Sequence, residues 1–329
     1  MPQRRSFIAQ ALALSAFGLP GAGLSPAFAQ ARYPSKPITL IVPFAPGGIA
    51  DIVARTVSQA MGESLGQSFV VDNRPSAGSI VAGQAVAKAA PDGYTLMVMS
   101  NANAVSTGLF KKLPFDVVKD FAPISTMGFF ELVLCVERES RFKTLREVVA
   151  HAKAHPGKLT IGTIAVGSTQ HLSAELFKSM AGIDALSVPY KGSPAVLTAL
   201  RAGEIDLAFE ILGPTLGQIA SGDLRAIAVT GDSRNPALPE VPTVIEGGVA
   251  KYNVESWNAL AAPAGTPQEV IDRLNRAAQE AIASPDVAKR LRQLGVRPQA
   301  GTPAQLQSLL ASEIKRWRDV IAAAKIEPA

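Results

Sequence analysis

Short apolar runs alternate with helix-period segments along most of this chain. ITLIV (38–42) reads as a buried strand and PFAPGG as a turn, and residues 50–61 read as a helix with Ile52, Val53, Val57 and Ala60 on one face. SFVVD (68–72), a helical stretch over 80–89 and YTLMVM (94–99) continue the alternation. This order predicts a parallel sheet wrapped by helices.

A second series starts at FFELVLCVE (129–137). The helix that follows opens on a capping box of Thr144 and Glu147 and stops at Pro156-Gly157. KLTIG, a helix over 169–180, LSVPY, a helix over 194–201, IDLAF, a short helix near 214–220 and LRAIAVT complete a second sheet. The turn-rich connector DSRNPALPEVPTVIEGG leads to the apolar strand VESWNALAAPAG (254–265). Three helices then begin with a Ser or Thr N-cap and a proline at the first position: Thr266-Pro267, Ser284-Pro285 and Thr302-Pro303. The long runs 129–137 and 254–262 bracket the second series. They predict a chain that crosses to a second lobe and returns, with residues 30–128 and 255–329 in one lobe and 129–254 in the other. Such an arrangement leaves a cleft lined by loops at the carboxyl ends of the strands.

The first 29 residues stand apart. Arg4 and Arg5, a short apolar run and Ala27-Phe28-Ala29 before Gln30 have the three parts of an export signal, and QRRSFI fits a twin-arginine or a general secretory route. Pro20, Gly21, Gly23 and Pro26 break any helix of the mature fold there. No later run approaches the 18 apolar residues of a membrane span. A mature monomer in the periplasm is expected.

Composition narrows the classes. At 47% hydrophobic and 18% charged, the chain is neither disordered nor a coiled coil. The net charge of +5 includes two arginines of the export signal, too small an excess to argue for nucleic acid. One cysteine, Cys135, excludes an internal disulfide framework and a cysteine zinc cluster. His151 and His155 have the i, i+4 spacing of metal ligands but no third ligand nearby, so no metal is expected.

Candidate chemistry lies in four loops. Pro43 to Asp51 joins a strand to a helix. Its paired glycines, Gly47 and Gly48, and the free N–H groups of the helix start fit an anion, although an ordinary turn has the same features. The Gly-Lys-Ser/Thr of a nucleotide loop is absent. Asp51 serves either as a first-turn acid or to orient a ligand. The loop from Thr163 to His171 starts a helix in the second series, with Ser168 or Thr169 as N-cap and His171 one turn in. Val188 to Pro194 carries Tyr190 and Lys191, and Asp206 precedes LAF. Ser100 to Asn103, read as a loop, offers amides without charge. Lys191 is the only cation in these four loops, so an anionic ligand would depend on backbone N–H groups and water rather than an arginine clamp. A hydrolase built on Ser168, His171 and Asp206 is disfavoured, because Ser168 and His171 are three residues apart on one helix start and no G-x-S-x-G elbow is present.

Seven motifs in order, PFAPGGIADIVAR, NRPSAGS, AAPDGYTL, AVGSTQHLSAELF, VPYKGSPAVLTALRAGEIDLAF, LPEVPTVIEGG and WNALAAPAGTP, resemble the tripartite tricarboxylate transporter receptors, the Bug family of periplasmic solute-binding proteins. The resemblance spans residues 32–329. It implies an α/β, two-lobed type II periplasmic binding protein fold with two crossing strands, capture of a small carboxylate, and neither cofactor nor catalysis. Membrane subunits of a tripartite tricarboxylate transporter are the implied partner, with a membrane sensor kinase as the alternative. Carried over by motif, the ligand contacts fall on Phe44, Ala45, Gly47, Gly48 and Asp51, on Asn101 and Ala102, on Gly167, Ser168, Thr169 and His171, and on Tyr190, Lys191 and Asp206. The chain departs from the family pattern at Ile49, where small or hydroxylated residues are frequent, and at Glu210, where aspartate is common.

Overall fold

The computed structural model describes residues 33–164 and 166–328, so the expected export signal lies outside the described residues. The first sheet begins with β1 (Ile38–Val42), β2 (Phe69–Asn73) and β3 (Thr95–Ser100), which pair in parallel in the order β2-β1-β3. Helix α1 (Ile49–Leu65), a 3-10 turn (Ala77–Ser79) and α2 (Ile80–Ala87) connect them. After β3 comes α3 (Asn101–Leu109), then β4 (Phe121–Glu137).

The 17-residue β4 belongs to both sheets. It is buried along nearly its whole length, as expected for a near-continuous apolar run in the middle of a sheet. Its first half pairs antiparallel with β9 (Glu255–Pro263), which pairs antiparallel with β3, and with the short β10 (Val296–Pro298). Its second half pairs antiparallel with β7 (Leu207–Ile211) and β8 (Leu224–Val229). The second sheet is completed by β5 (Leu159–Ile164) and β6 (Ala185–Tyr190), parallel to each other, with β5 also parallel to β7. Helices α4 (Leu145–Ala154), α5 (Thr169–Ala181), α6 (Ser193–Arg201) and α7 (Leu212–Ala220) serve this half, and α8 (Gln268–Ala283), α9 (Pro285–Gln293) and α10 (Pro303–Ala323) follow β9.

Strand direction places the site. β3 runs with β4 and β7 runs against it, so the two parallel sets point toward each other. The end of β3, Ser100, is aligned through Asn258 with Gly128 of β4, and the end of β7, Ile211, is opposite Leu132. Those β4 positions are about 13 Å apart at the usual rise of a strand. The carboxyl ends of both sheets therefore converge from opposite sides.

One apolar core runs beneath both sheets, bringing together Met97, Leu132, Phe177, Trp257 and Trp317, with Trp317 donating from Nε1 to Glu313 at 2.8 Å. Separate clusters cover the far face of each sheet. The return passage from the second sheet to the first is held by Thr230. Its Oγ1 donates to the Val254 carbonyl at 2.7 Å and accepts from the Leu132 N–H at 2.8 Å, while the Val254 N–H donates to the Thr230 carbonyl at 2.9 Å.

The structure corrects three details of the expected elements. Ser100 to Asn103 is not an open loop but the start of α3, closed by a capping box in which Ser100 and Asn103 exchange hydrogen bonds. The Thr266 hydroxyl does not cap α8; it donates back to the Pro263 carbonyl at 2.8 Å, leaving Pro267 at the helix boundary. β4 begins eight residues before the apolar cluster that announced it, because the less apolar segment FAPISTMG also pairs with β9.

Thr230→Val keeps the shape of the side chain and strands two buried backbone groups, so it should lower unfolding free energy by about 2–4 kcal/mol. Urea unfolding of the two proteins measures this, and a loss below about 0.5 kcal/mol would contradict the role given to the hydroxyl.

Candidate functional site

Loop one is held from below by a buried carboxylate. Asp51, in the first turn of α1, accepts from the Gly47 N–H at 2.9 Å, from Asn73 Nδ2 at 2.9 Å and from Arg55 Nε at 3.0 Å. Asn73 Nδ2 also donates to the Phe44 carbonyl at 3.0 Å, so one cluster fixes both ends of the loop. Burial pushes the Asp51 pKa up, but the hydrogen bonds from Arg55, Gly47 and Asn73 outweigh it and hold the carboxyl below its ordinary range. Of the two roles open to Asp51, the hydrogen bonds show the first-turn one: its oxygens are engaged by the loop, and so is the Gly47 N–H. What remains open is the helix start. Gly48 is the N-cap and supplies no side-chain bond, and the amides of Ile49 and Ala50 have no acceptor within the helix. Ala45, Gly47 and Gly48 are exposed and Phe44 is half-buried. A Cβ on Gly48 would touch only the Ala45 carbonyl oxygen, at 3.6 Å.

At the end of β3, Asn101 is fully buried and donates from Nδ2 to the Glu255 carbonyl at 3.2 Å, while Oδ1 has no protein partner. The half-buried Ala102 donates its N–H to Ser100 Oγ at 3.2 Å.

The opposing helix, α5, has a self-contained turn. Ser168 Oγ accepts from the His171 N–H at 3.1 Å and donates to the Ile164 carbonyl at 3.1 Å. The Gly167 N–H donates to His171 Nδ1 at 3.4 Å. Burial pushes the His171 pKa down, which keeps the ring neutral and Nδ1 free to accept. Gly167 has φ +83, and a Cβ there would lie 2.2 Å from Leu109 Cδ2, so glycine is what lets this turn approach α3. Gly167 and Ser168 thus engage their polar groups within the turn, while His171, accepting at Nδ1, is left with Nε2 as its donor, 4.0 Å from Glu175 Oε1. The N–H groups of Thr169 and Gln170 remain open by helix geometry, and Thr169 Oγ1 is 3.4 Å from Ser256 Oγ in the other sheet.

Tyr190 and Lys191 end β6. Tyr190 is half-buried, with its phenol pKa raised by burial and by Glu204, and Lys191 is exposed. Asp206 is not brought to this region. It precedes β7 and accepts from Thr160 N and Thr160 Oγ1, both at 2.9 Å, at the amino end of the parallel strands. A hydrolytic triad is not assembled either: Ser168 bonds the backbone of His171, and Asp206 lies at the opposite end of the sheet.

Sequence reasoning marked Glu210 only as a departure from the family pattern and did not count it among the site residues. Glu210 is next to the last residue of β7 and 1% exposed, and Ser193 Oγ at the start of α6 donates to its Oε2 at 2.6 Å. Burial pushes its pKa up to about 7 against the pull of Ser193, Gln170 and the Ile211 N–H. Gln170 lies beside the carboxyl without hydrogen-bond geometry, so Gln170 Nε2 and Glu210 Oε1 both lack a protein partner. With Asn101 Oδ1 and Thr163 Oγ1, four unpartnered buried polar atoms gather at the strand ends. Such groups are rare in native interiors and point to water or ligand. A depression of about 680 Å³ along α1 and β2, between Arg55, Gly62 and Phe69, takes in none of these atoms.

Replacing Glu210 by Gln removes a group that holds its proton more tightly folded than unfolded. Stability of the native protein relative to Glu210→Gln should be greatest below the ordinary carboxyl value of 4.5 and fall as pH rises through about 7. The gap should change by roughly 3 kcal/mol across thermal or urea unfolding between pH 4 and 8, and parallel curves would contradict the burial argument.

Residues 53–326 match the family model described as the tripartite tricarboxylate transporter family receptor. The chain is 38% identical to a UPF0065 protein from the tcbD-tcbE intergenic region of Pseudomonas sp. (strain P51), over 88% of this chain and 86% of that protein. It is 36% identical to the protein BugT of Bordetella pertussis, over 91% and 93%. Among solved structures, R. palustris Rpa4515 with adipate superposes with a TM-score of 0.83 at 34% identity, covering 90% of this chain and all of that one. MatC from Rhodopseudomonas palustris with bound malate gives 0.79 at 32%, over 88% and 100%. The periplasmic binding protein BugD gives 0.81 at 30%, over 90% and 100%. The chain has the two-lobed type II periplasmic binding protein fold and belongs to the tripartite tricarboxylate transporter receptor family of periplasmic solute-binding proteins.

Proposed function

We propose that this protein captures a small carboxylate between its two lobes in the periplasm and delivers it to membrane subunits of a tripartite tricarboxylate transporter. The lobes are residues 30–128 with 255–329, and residues 129–254, hinged where β4 and Thr230 pass between the sheets. The observation that carries this reading is the convergence of the carboxyl ends of the two sheets, at which α1 and α5 begin with open first-turn amides in loops that hold one cation. Helix N-termini bind anions through fixed N–H groups and the helix dipole, with no salt bridge required. Asp51, Arg55 and Asn73 act on the ligand only by fixing loop one. Binding of adipate by Rpa4515 and of malate by MatC supports carboxylates as the class to test first. Family membership supports the transporter as partner.

A thermal-shift screen of small carboxylates, with calorimetry on the hits, tests the reading, because ligand at 100 times its Kd adds about 2.7 kcal/mol of stability. Gly48→Val is the informative variant. Its backbone is extended (φ −77), so the fold should tolerate the change while the side chain covers the Ile49 and Ala50 amides. Carboxylate affinity should fall at least tenfold in Gly48→Val and only a few-fold in Lys191→Ala. Loss of binding in Lys191→Ala with full retention in Gly48→Val would replace the helix-start mechanism by an ion pair.

A further inference from the structure

Glu210 combines three features that need a common explanation. It is buried; no cation lies within ion-pair distance of it among the described residues; and one of its two oxygens has no partner. An ionised carboxylate in that setting would be strongly penalised, since burial removes hydration and no positive charge replaces it. The neutral acid suits the site. Ser193 Oγ occupies Oε2, which leaves the proton on Oε1. Gln170 Nε2, 98% buried and also without an acceptor, lies beside it. With the acid neutral, Glu210 Oε1–H and Gln170 Nε2–H are two neighbouring buried donors without an acceptor, and they suit an oxygen with lone pairs at the end of β7, where α7 begins.

We propose that Glu210 binds ligand as a neutral carboxylic acid, donating with Gln170 to a second carboxylate at the far end of a dicarboxylate whose first carboxylate is held at the α1 start. This rests on the receptor reading and deepens it: Glu210 becomes the contact that separates dicarboxylates from monocarboxylates. A short acid-to-carboxylate hydrogen bond is stronger than a neutral pair and uses no net positive charge. Ionisation of Glu210 would turn the donor into a repelling anion. Titratable groups on the surrounding elements are the Cys135 thiol of β4, pushed up by burial and by Glu210, Glu131 and Glu137 of β4, His171 of α5, pushed down by burial, Glu175 and Lys178 of α5, which pair with each other, Arg201 in the last turn of α6, and Tyr190 and Lys191 before α6. None forms an ion pair with Glu210.

Calorimetry with adipate and succinate, and with hexanoate and butyrate as monocarboxylate partners, tests the proposal between pH 6.5 and 8.5. Dicarboxylate affinity of the native protein should fall toward tenfold per pH unit above about pH 7.5, the slope of one linked proton, while monocarboxylate affinity stays level. Glu210→Gln keeps a donor that does not titrate, so its dicarboxylate affinity should be flat with pH. Gln170→Leu should lower the preference for a dicarboxylate over its monocarboxylate partner at least tenfold, a ratio that any shared effect on the α5 start cancels, and an unchanged ratio in a folded Gln170→Leu would overturn the inference even should the Glu210 variant fail to fold. Carboxylates bound with no preference for two charges, or a dicarboxylate affinity flat with pH in the native protein, would overturn this inference alone. Binding of no carboxylate at any pH would overturn the receptor reading together with it.

Discussion

Antiparallel pairing along one long strand decides where chemistry is available in this protein. β4 carries the first sheet on its early residues and the second on its later ones, and the parallel strands of the two sheets run in opposite senses along it. Because each parallel strand feeds a helix at its carboxyl end, opposite senses bring the helix starts of one sheet toward those of the other. The shared apolar core and the Thr230 hydroxyl keep the two sets in register. A substitution that broke the antiparallel order would leave every helix start intact and separate them.

The same topology explains the sparse charge of the site. Converging helix starts already supply N–H groups and partial positive charge, so a cation clamp adds little. The charged groups work beneath the surface. Asp51 and Arg55 neutralise one another while bracing loop one, and Glu210 is buried where its neutral form is favoured. Buried polar atoms without protein partners are uncommon, and several of them, Asn101 Oδ1, Thr163 Oγ1, Gln170 Nε2 and Glu210 Oε1, lie at the converging strand ends.

Much of this was legible in the sequence for local reasons. The Thr144 and Glu147 capping box, the proline starts at Pro285 and Pro303 and the apolar runs of the central strands carry signals a few residues long, and the structure follows them. The helix starts flanking Gly48 and Ser168 were legible too. What local pattern lacked was the fate of each donor. Nothing around Gly47 or Gly167 announces that their N–H groups close their own turns, because the partners are set by loop geometry. Asp206 precedes the same short strand that contains Glu210, and tertiary pairing with Thr160 and Ser193 separates the end-capping acid from the buried one. α3 escaped because Asn101 and Asn103 have weak helix propensity, which the Ser100 to Asn103 capping box offsets.

The central claim is that backbone amides at opposed helix starts, rather than side-chain cations, hold the anion. Amide ¹H–¹⁵N spectra of the isotope-labelled protein, titrated with a carboxylate identified by calorimetry, test it most directly. The account predicts that the largest shifts fall on Ile49, Ala50, Thr169 and Gln170, in the downfield direction of new hydrogen bonds. Unmoved signals at those four positions, with the changes confined to Lys191 and its neighbours at saturation, would contradict it.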